Sequence, residues 1–161
     1  MKTVAVGLGA NLGDAKASVL AAIDMLNLLP ETRLLRASKL YRTPAWGRTE
    51  QPDFINAVAL LETGLGARDL LDRLLAIECD FGRVRTSGER WGPRTLDLDL
   101  LLFGENVIDE PGLQVPHPYL HQRAFVLWPL AEIAPGMCIP GAGIVGELAA
   151  AMTNDGIEAI P

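Results

Sequence analysis

The segment 95–102 reads Thr-Leu-Asp-Leu-Asp-Leu-Leu-Leu, and it constrains the fold more than any other part of the chain. Side chains two residues apart on a strand point to the same side. The alternation therefore predicts a strand, over residues 95–103, whose alternate leucines enter a core. The opposite face of this strand carries Asp97 and Asp99 together. Aspartate is a poor strand former, so two of them among leucines require an explanation.

A cluster of arginines comes directly before these carboxylates, in a long loop predicted over residues 83–94. The cluster comprises Arg83, Arg85, Arg90 and Arg94. Two neighbouring carboxylates repel each other unless a cation joins them. Mg²⁺ prefers such oxygen ligands and leaves positions for phosphate oxygens, which arginine side chains match in pairs. The combination predicts a magnesium–polyphosphate site. The alternative is a solvated strand face and a solvated loop whose arginines pair with Glu78 and Glu89.

Hydrophobic periodicity predicts strands and helices in the order β-α-β-β-α-β. The predicted strands cover residues 3–9, 33–41, 54–61 and 95–103, and the residues of 54–61 alternate between two faces. The predicted helices cover 14–29, with Asp14 as the N-terminal cap, and 67–81, with an apolar stripe of Leu70, Leu74 and Ile77. Helices are also predicted over about 121–133, where Pro129 requires a bend or a late start, and over 142–152, while 107–108 can add a short strand. This order matches the ferredoxin-like motif. We therefore predict an α+β fold with a mostly antiparallel sheet, helices packed on it, and extra C-terminal helices.

The charge of the chain disfavours some classes of partner. Its 161 residues include 14 Lys and Arg against 20 Asp and Glu, so duplex nucleic acid and anionic membranes are poor partners for its surface. Its apolar runs are too short to span a membrane, and its first residues predict a strand and not a signal peptide. Cys79 and Cys138 have no metal-ligand spacing, and we expect reduced thiols in a cytoplasmic protein with one domain over residues 1–161.

Some residues have both a functional and a structural interpretation. Phe54 and Asn56 share a strand face and suit a flat heterocycle, or they are ordinary core residues. His117 lies between two prolines and either donates to a phosphate or only stabilises a turn. Trp91 either seals a closed site or anchors its loop to the surface. We hypothesise that the loop of Trp91 and the long loop over about 43–53 form a lid.

Several segments of the chain match one known family. The most specific is residues 89–99, which read Glu-Arg-Trp-Gly-Pro-Arg-Thr-Leu-Asp-Leu-Asp. The others are residues 7–13, 41–44, 51–57, 115–118 and 123–130. Together they span nearly the whole chain, which resembles the 6-hydroxymethyl-7,8-dihydropterin pyrophosphokinases of folate biosynthesis. The resemblance implies a ferredoxin-like fold, in agreement with the predicted order of elements.

The resemblance also implies a reaction and assigns residues to it. ATP gives its β,γ-pyrophosphoryl group to the hydroxymethyl oxygen of the pterin, and AMP leaves. Asp97 and Asp99 are expected to hold two Mg²⁺ ions, and Arg85 and Arg94 to stabilise charge during transfer. The residues expected to contact ATP are Glu78, Arg83, Arg85, Arg94, Leu100, His117 and Arg123. Those expected to bind the pterin are Thr43, Pro44, Phe54, Asn56, Trp91 and Phe125.

The chain departs from the family pattern at Phe54, where many members carry tyrosine, and at Ala10, which replaces a frequent serine. Residues 86–88 also make the arginine loop slightly longer than in some members. We expect a monomer, without a fused second domain of the pathway, whose partners are small molecules. One alternative function is a glycosyltransferase that uses Asp-x-Asp for a nucleotide sugar, for which the chain is short. The other is a ferredoxin-like module that binds a metabolite or RNA, and the acidic charge disfavours RNA.

Overall fold

The alternating segments found in the sequence form the strands of one antiparallel sheet. The structure is a computed structural model, and it describes residues 1–11, 13–43, 53–81, 96–152 and 157–160. In these residues the strands are β1 (Lys2–Ala10), β2 (Thr32–Ala37), β3 (Leu40–Thr43), β4 (Phe54–Thr63), β5 (Asp97–Phe103), β6 (Ile108–Glu110), β7 (Leu113–Val115), β8 (Cys138–Ile139), β9 (Gly143–Ile144) and β10 (Glu158–Ile160). The helices are α1 (Ala15–Leu26), α2 (Ala67–Asp80), α3 (Ala124–Ile133) and α4 (Val145–Ala150), with a 3-10 turn at Leu120–Gln122.

The central strand of the sheet is β1, which lies between β4 and β5. Both β2 and β3 pair with β4, and β10 pairs with β3 at the outer edge. Every pairing among these described strands is antiparallel. The predicted order of strands and helices and the ferredoxin-like fold are therefore confirmed, with the predicted second strand divided into β2 and β3.

Helices cover both faces of this sheet, so each face has its own apolar core. Along β4, Ala59 and Leu61 enter the core beneath α1 and α2, whereas Val58 and Leu60 enter the core beneath α3 and α4. A strand covered on both faces carries apolar residues at nearly every position, which explains the composition of β4. None of the described helices is long and apolar enough to cross a membrane.

The strand predicted over 33–41 is wrong as one element, because Ser38 interrupts it. Its backbone N–H donates to the Val58 carbonyl at 2.9 Å, and its Oγ accepts the Val58 N–H at 2.9 Å. The same hydroxyl donates to the Lys39 carbonyl at 2.7 Å. A side-chain oxygen thus replaces one backbone partner of the ladder, and the chain changes direction there before β3 begins.

The predicted N-terminal cap of α1 is confirmed, but its predicted end at Leu29 is wrong. Asp14 Oδ1 accepts the Ala17 N–H at 3.1 Å, which satisfies a free donor of the first turn. The helix ends at residue 26, because Asn27 Oδ1 accepts the N–H of Leu34 in β2 at 2.9 Å and turns the chain toward the sheet. The predicted apolar stripe of α2 is buried as expected and comprises Leu70, Leu74 and Ile77.

The helix predicted over 121–133 begins at Ala124, and Pro129 lies in its interior and not at its start. Proline has no N–H, so α3 lacks the bond that would join residue 129 to the Phe125 carbonyl. Near the other end of α3, Glu132 Oε1 accepts the Tyr41 hydroxyl at 2.6 Å, and Oε2 accepts the Lys39 N–H at 3.1 Å. Burial, the bond to Glu132 and its charge raise the pKa of Tyr41 well above its usual range. These bonds attach the end of α3 to β3.

The short elements near the C-terminus were the hardest to predict. The helix predicted over 142–152 is shorter, and the strand predicted at 107–108 begins at Ile108 and pairs with β7. Strands of two or three residues, such as β8 and β9, contain too few positions to show alternation. Cys79 and Cys138, both in described segments, are not joined by a disulfide.

Replacing Ser38 by alanine tests the interruption between β2 and β3. Ser38→Ala leaves the buried Val58 N–H without its partner, which is expected to lower the free energy of unfolding by about 1–3 kcal/mol. Urea unfolding measures this loss. Ser18→Ala, the same change on the half-exposed side of α1, is the control and is expected to shift stability by less than about 0.5 kcal/mol. Equal effects of the two substitutions would contradict the assigned role.

Candidate active site

Two glycines of β1 lie between the residues predicted to bind the pterin and those predicted to bind metal. Gly9 pairs with Asn56 of β4 on one side and with Asp97 of β5 on the other. Two residues away, Gly7 pairs with Asp99. Residues paired directly across strands project from the same face of a sheet. Asn56 and the two aspartates therefore flank the glycine strip (Gly7 and Gly9), where β1 contributes no side chain.

The amide of Asn56 is fixed on one side of the glycine strip. Its Nδ2 donates to Thr43 Oγ1 at 2.8 Å, and Thr43 is buried. Thr43 pairs with Phe54 across β3 and β4, which places the half-buried ring of Phe54 on the same face. The structure thus brings these three predicted residues together. They combine an aromatic ring with an amide that has donor and acceptor atoms.

Asp97 and Asp99 are half-buried on β5, an edge strand of the described sheet. Two residues apart on a strand, their Cα atoms are separated by about 7 Å. Leu98 and Leu100 are buried in the core on the other side, as the alternation predicted. Among the described residues, no three His, Cys, Asp or Glu side chains form a cluster that could hold a metal ion. The two aspartates could therefore supply oxygen ligands to a metal ion, but not a full coordination shell.

Glu78 is a buried carboxylate that holds β5 in place. It lies in the last turn of α2 and is only 2% exposed. Its Oε2 accepts the backbone N–H of Leu98 at 2.7 Å. Leu98 lies between the two aspartates, so this bond fixes the strand at the point where they project. The predicted contact of Glu78 with ATP stays a prediction.

His117 is attached to β5 through its backbone, and its proton has a defined position. Its N–H donates to the Leu101 carbonyl at 3.0 Å. Its Nδ1 accepts the Tyr119 N–H at 3.3 Å, so the neutral ring carries its proton on Nε2. Burial lowers the pKa of His117, the positive charge of Arg123 lowers it further, and Asp97 opposes both. Arg123 and Asp97 are therefore both within electrostatic reach of the ring.

Arg123 and Phe125 stand at the beginning of α3. The guanidinium carbon of Arg123 lies 5.3 Å from the centre of the Tyr119 ring and 5.7 Å from the centre of the Phe125 ring. Both distances are within the range of cation–π contacts. α3 packs on the face of β4 that carries Asn56, because Val58, two residues further on, belongs to the core beneath α3. The half-buried ring of Phe125 thus belongs to the same side of the sheet.

A cavity of about 610 Å³ opens beside β5. One wall is β5 with Leu71 of α2, and the opposite wall is the hairpin of β6 and β7. The cavity is lined by Leu71, Leu98, Asp99, Leu100, Asp109, Glu110, Pro111, Gly112, Leu113, Gln114, His117 and Pro118. Three predicted site residues, Asp99, Leu100 and His117, therefore border one space. The short strands of the hairpin wall carry no functional motif, so their sequence does not indicate that they line this cavity.

Some predicted site residues lie outside the described residues. They are Pro44, Arg83, Arg85, Trp91 and Arg94, together with Arg90 and the parts of the hypothesised lid over residues 44–52 and 83–94. Gly7 and Gly9 were not among the predicted site residues. Their spacing of two within a predicted strand was the signal that they share one face.

Solved structures with a similar fold come from longer proteins. A crystal structure of HPPK-DHPS in complex with substrates has a TM-score of 0.70 at 13% identity and covers 93% of this chain. Wild-type HPPK-DHPS of Plasmodium falciparum has a TM-score of 0.64 at 12% identity, also over 93% of this chain. This chain spans 43% of each of those chains. At these identities the likeness concerns the fold alone.

Sequence comparison is more specific. The chain is 50% identical over all its 161 residues to the 2-amino-4-hydroxy-6-hydroxymethyldihydropteridine pyrophosphokinase of Pseudomonas aeruginosa, covering 98% of that protein. It is 43% identical over 148 residues to the Haemophilus influenzae protein of the same name, covering 92% of this chain and 91% of that one. The family model for 7,8-dihydro-6-hydroxymethylpterin-pyrophosphokinase (HPPK) matches residues 5–135. The chain therefore belongs to the HPPK family.

Proposed function

We propose that this protein transfers the β,γ-pyrophosphoryl group of ATP to the hydroxymethyl oxygen of 6-hydroxymethyl-7,8-dihydropterin. The oxygen bonds to the β-phosphorus, the bond from that phosphorus to the oxygen shared with the α-phosphate breaks, and the hydroxyl proton is released. The products are AMP and the pterin diphosphate. The observation that carries the proposal is that, between β4 and β5, only Gly9 of β1 separates the Asn56 amide from Asp97. Two substrates held on either side would meet over bare backbone.

The nucleotide occupies the cavity beside β5 in this proposal. In an antiparallel ladder the outward-facing backbone groups recur every second residue. Because Glu78 takes the outward N–H of Leu98, Leu100 presents its own N–H and carbonyl to the same edge. That pair of donor and acceptor suits the edge of a nucleobase, and Leu71 and Leu113 provide apolar walls for its faces. The phosphates then extend toward Asp99 and His117, which border the same cavity.

Asp97 and Asp99 would hold two Mg²⁺ ions. The donor set fits, because Mg²⁺ is usually bound by one or two carboxylates and completes its shell with water and substrate phosphates. When bound, such ions neutralise polyphosphate charge that would repel the incoming oxygen. The Nε2–H of His117 and the guanidinium of Arg123 add a hydrogen-bond donor and a positive charge on the same side. Arg83, Arg85 and Arg94 are proposed to bind the phosphates, and Arg85 and Arg94 to stabilise charge during transfer.

The pterin is proposed to bind between the rings of Phe54 and Phe125. Asn56 reads its edge, since the bond to Thr43 fixes which atoms of the amide face the ligand. Arg123 contacts the Phe125 ring and is also proposed to contact ATP, so it links the pterin pocket to the phosphates. Pro44 and Trp91 are proposed to line the same pocket. The step then depends on positioning and charge neutralisation, without a covalent intermediate on the protein.

The proposal also covers the domain organisation, oligomeric state, location and partners of the protein. We propose that the chain acts as one domain and as a monomer in the cytoplasm, where ATP is available. Its net charge of −6 favours small-molecule substrates over nucleic acid or an anionic membrane. A mixture of ATP, Mg²⁺ and the hydroxymethyl pterin tests the whole proposal, because AMP is its specific product. Formation of ADP, or no turnover, would contradict it.

The aspartates are tested by removing one charge at a time. Asp97→Asn and Asp99→Asn are each expected to lower the rate of AMP formation by more than about 100-fold, since both groups act on charge in the transition state. Thermal unfolding checks that each variant folds. Asp24→Asn makes the same change on the exposed side of α1, across the sheet from the site, and is expected to retain full activity. Near-normal turnover in a folded Asp97 or Asp99 variant would refute the assignment.

The pterin pocket is tested at Phe125. Phe125→Ala is expected to weaken pterin binding by about 1–3 kcal/mol, by analogy with base–aromatic stacking, and to leave ATP binding unchanged. Titration calorimetry with each substrate measures both effects. Tyr119→Ala removes the other ring that Arg123 contacts and serves as the control, with pterin affinity expected to be unchanged. Loss of ATP binding in place of pterin binding would show that the two pockets are exchanged.

His117 predicts a defined pH dependence of stability. Because its folded pKa lies below the ordinary 6.5, the unfolded chain binds more protons between these two values. Lowering the pH through this range therefore lowers the free energy of unfolding. His117→Gln is expected to remove this contribution, whereas His121→Gln, at the other of the two histidines, is expected to keep it. Urea unfolding at a series of pH values checks this, and equal slopes in His117→Gln and the unmodified protein would contradict it.

A further inference from the structure

Gly9 is a glycine for a reason other than backbone conformation. Among the described glycines, those with positive φ are elsewhere, and neither Gly9 nor Gly7 is one of them. A Cβ at Gly9 would lie 2.8 Å from Asn56 Oδ1, closer than a methyl carbon and an oxygen can approach. The space that a side chain at residue 9 would fill is therefore occupied by the amide of Asn56.

Asn56 cannot yield this space without disturbing its bond to Thr43. Its amide is planar, and Nδ2 donates to Thr43 Oγ1 at 2.8 Å while Oδ1 lies over Gly9. Rotating the side chain away from residue 9 moves both atoms together. The bond to the buried Thr43 hydroxyl would then be lengthened or broken. The absence of a side chain at Gly9 and the bond to Thr43 together fix the orientation of the amide.

We propose that Gly9 is a positioning residue for the heterocyclic substrate, acting through Asn56. This inference rests on the proposed function, in which the Asn56 amide reads the edge of the pterin. Because Gly9 has no side chain, Asn56 Oδ1 can lie directly over β1. The amide then presents its atoms in one orientation beside Asp97. A methyl group here would misplace substrate recognition and leave the nucleotide cavity, which lies on the other side of β5, unchanged.

Gly7 provides a matched control. It lies on the same strand and the same face, two residues away, and it is also buried. A Cβ at Gly7 would lie 3.4 Å from Leu101 Cδ1, and its three nearest atoms all belong to that flexible apolar side chain. Gly7→Ala therefore adds the same methyl group to the same strand without touching Asn56.

The test compares pterin binding in four variants, Gly9→Ala, Gly7→Ala, Asn56→Ala and the double variant Gly9→Ala/Asn56→Ala. Calorimetry with the hydroxymethyl pterin, in the presence of Mg²⁺ and a non-hydrolysable ATP analogue, is expected to show a loss of about tenfold or more for Gly9→Ala. The affinity for the ATP analogue alone is expected to stay within about twofold, and Gly7→Ala is expected to bind pterin nearly normally. In the Asn56→Ala background, adding Gly9→Ala is expected to have no further effect, because residues that act through one another are not additive.

Unchanged pterin affinity in Gly9→Ala would overturn the proposal. An equal loss in the Asn56→Ala background would also overturn it, since the methyl group would then act on the ligand directly. The side-chain amide resonance of Asn56, measured by NMR in the free protein, gives a second readout that needs no pterin. It is expected to shift in Gly9→Ala and not in Gly7→Ala, and no shift in Gly9→Ala would refute the role. If the unmodified protein bound no pterin, the proposed function would fail, and this resonance would still decide whether Gly9 positions Asn56.

Discussion

The pairing of β1 with its two neighbours decides where Asn56, Asp97 and Asp99 lie relative to one another. Because side chains alternate along a strand, a slip of one residue between β1 and β5 would send Asp97 into the core and Leu98 out of it. The register is fixed by two apolar cores, one on each face, which hold alternate residues of the same strands. It changes once, between Ala5 and Val6, and the pairs of Gly7 with Asp99 and of Gly9 with Asp97 both lie on the same side of that irregularity.

The edge strand β5 needs partners for backbone groups that no described strand satisfies. An edge strand with free N–H and carbonyl groups is a general liability, and proteins cover such edges with other elements. Here the Glu78 carboxylate accepts the Leu98 N–H, and the N–H of His117 donates to the Leu101 carbonyl. Leu100, two residues after Leu98, borders the cavity. The hydrogen bonds that hold β5 in place and the proposed contact with the nucleobase thus use backbone groups along the same edge of β5.

The sequence predicted those parts of the fold and site that depend on alternation and on local caps. The alternating leucines and aspartates of β5, the two faces of β4 and the Asp14 cap were all predicted from spacing alone. The division of the predicted second strand was not, because Ser38 bonds to Val58, 20 residues away along the chain. For the same reason the contact of Glu132 with Tyr41 and the hairpin wall of the cavity left no local signal. The family resemblance supplied most residue roles, since spacing cannot identify a pterin.

Pro129 removes the hydrogen bond that residue 129 would donate to the Phe125 carbonyl, and the two ends of α3 differ in how they are attached to the sheet. Its last turn is attached to the sheet, since Glu132 binds both Tyr41 and Lys39. Its first turn carries Phe125, and Pro129 cannot supply the N–H that would tie the two turns together there. Bending at this point would move the Phe125 ring while the last turn stays attached to the sheet. The pterin pocket proposed between Phe54 and Phe125 would then accept ligands of slightly different thickness or tilt.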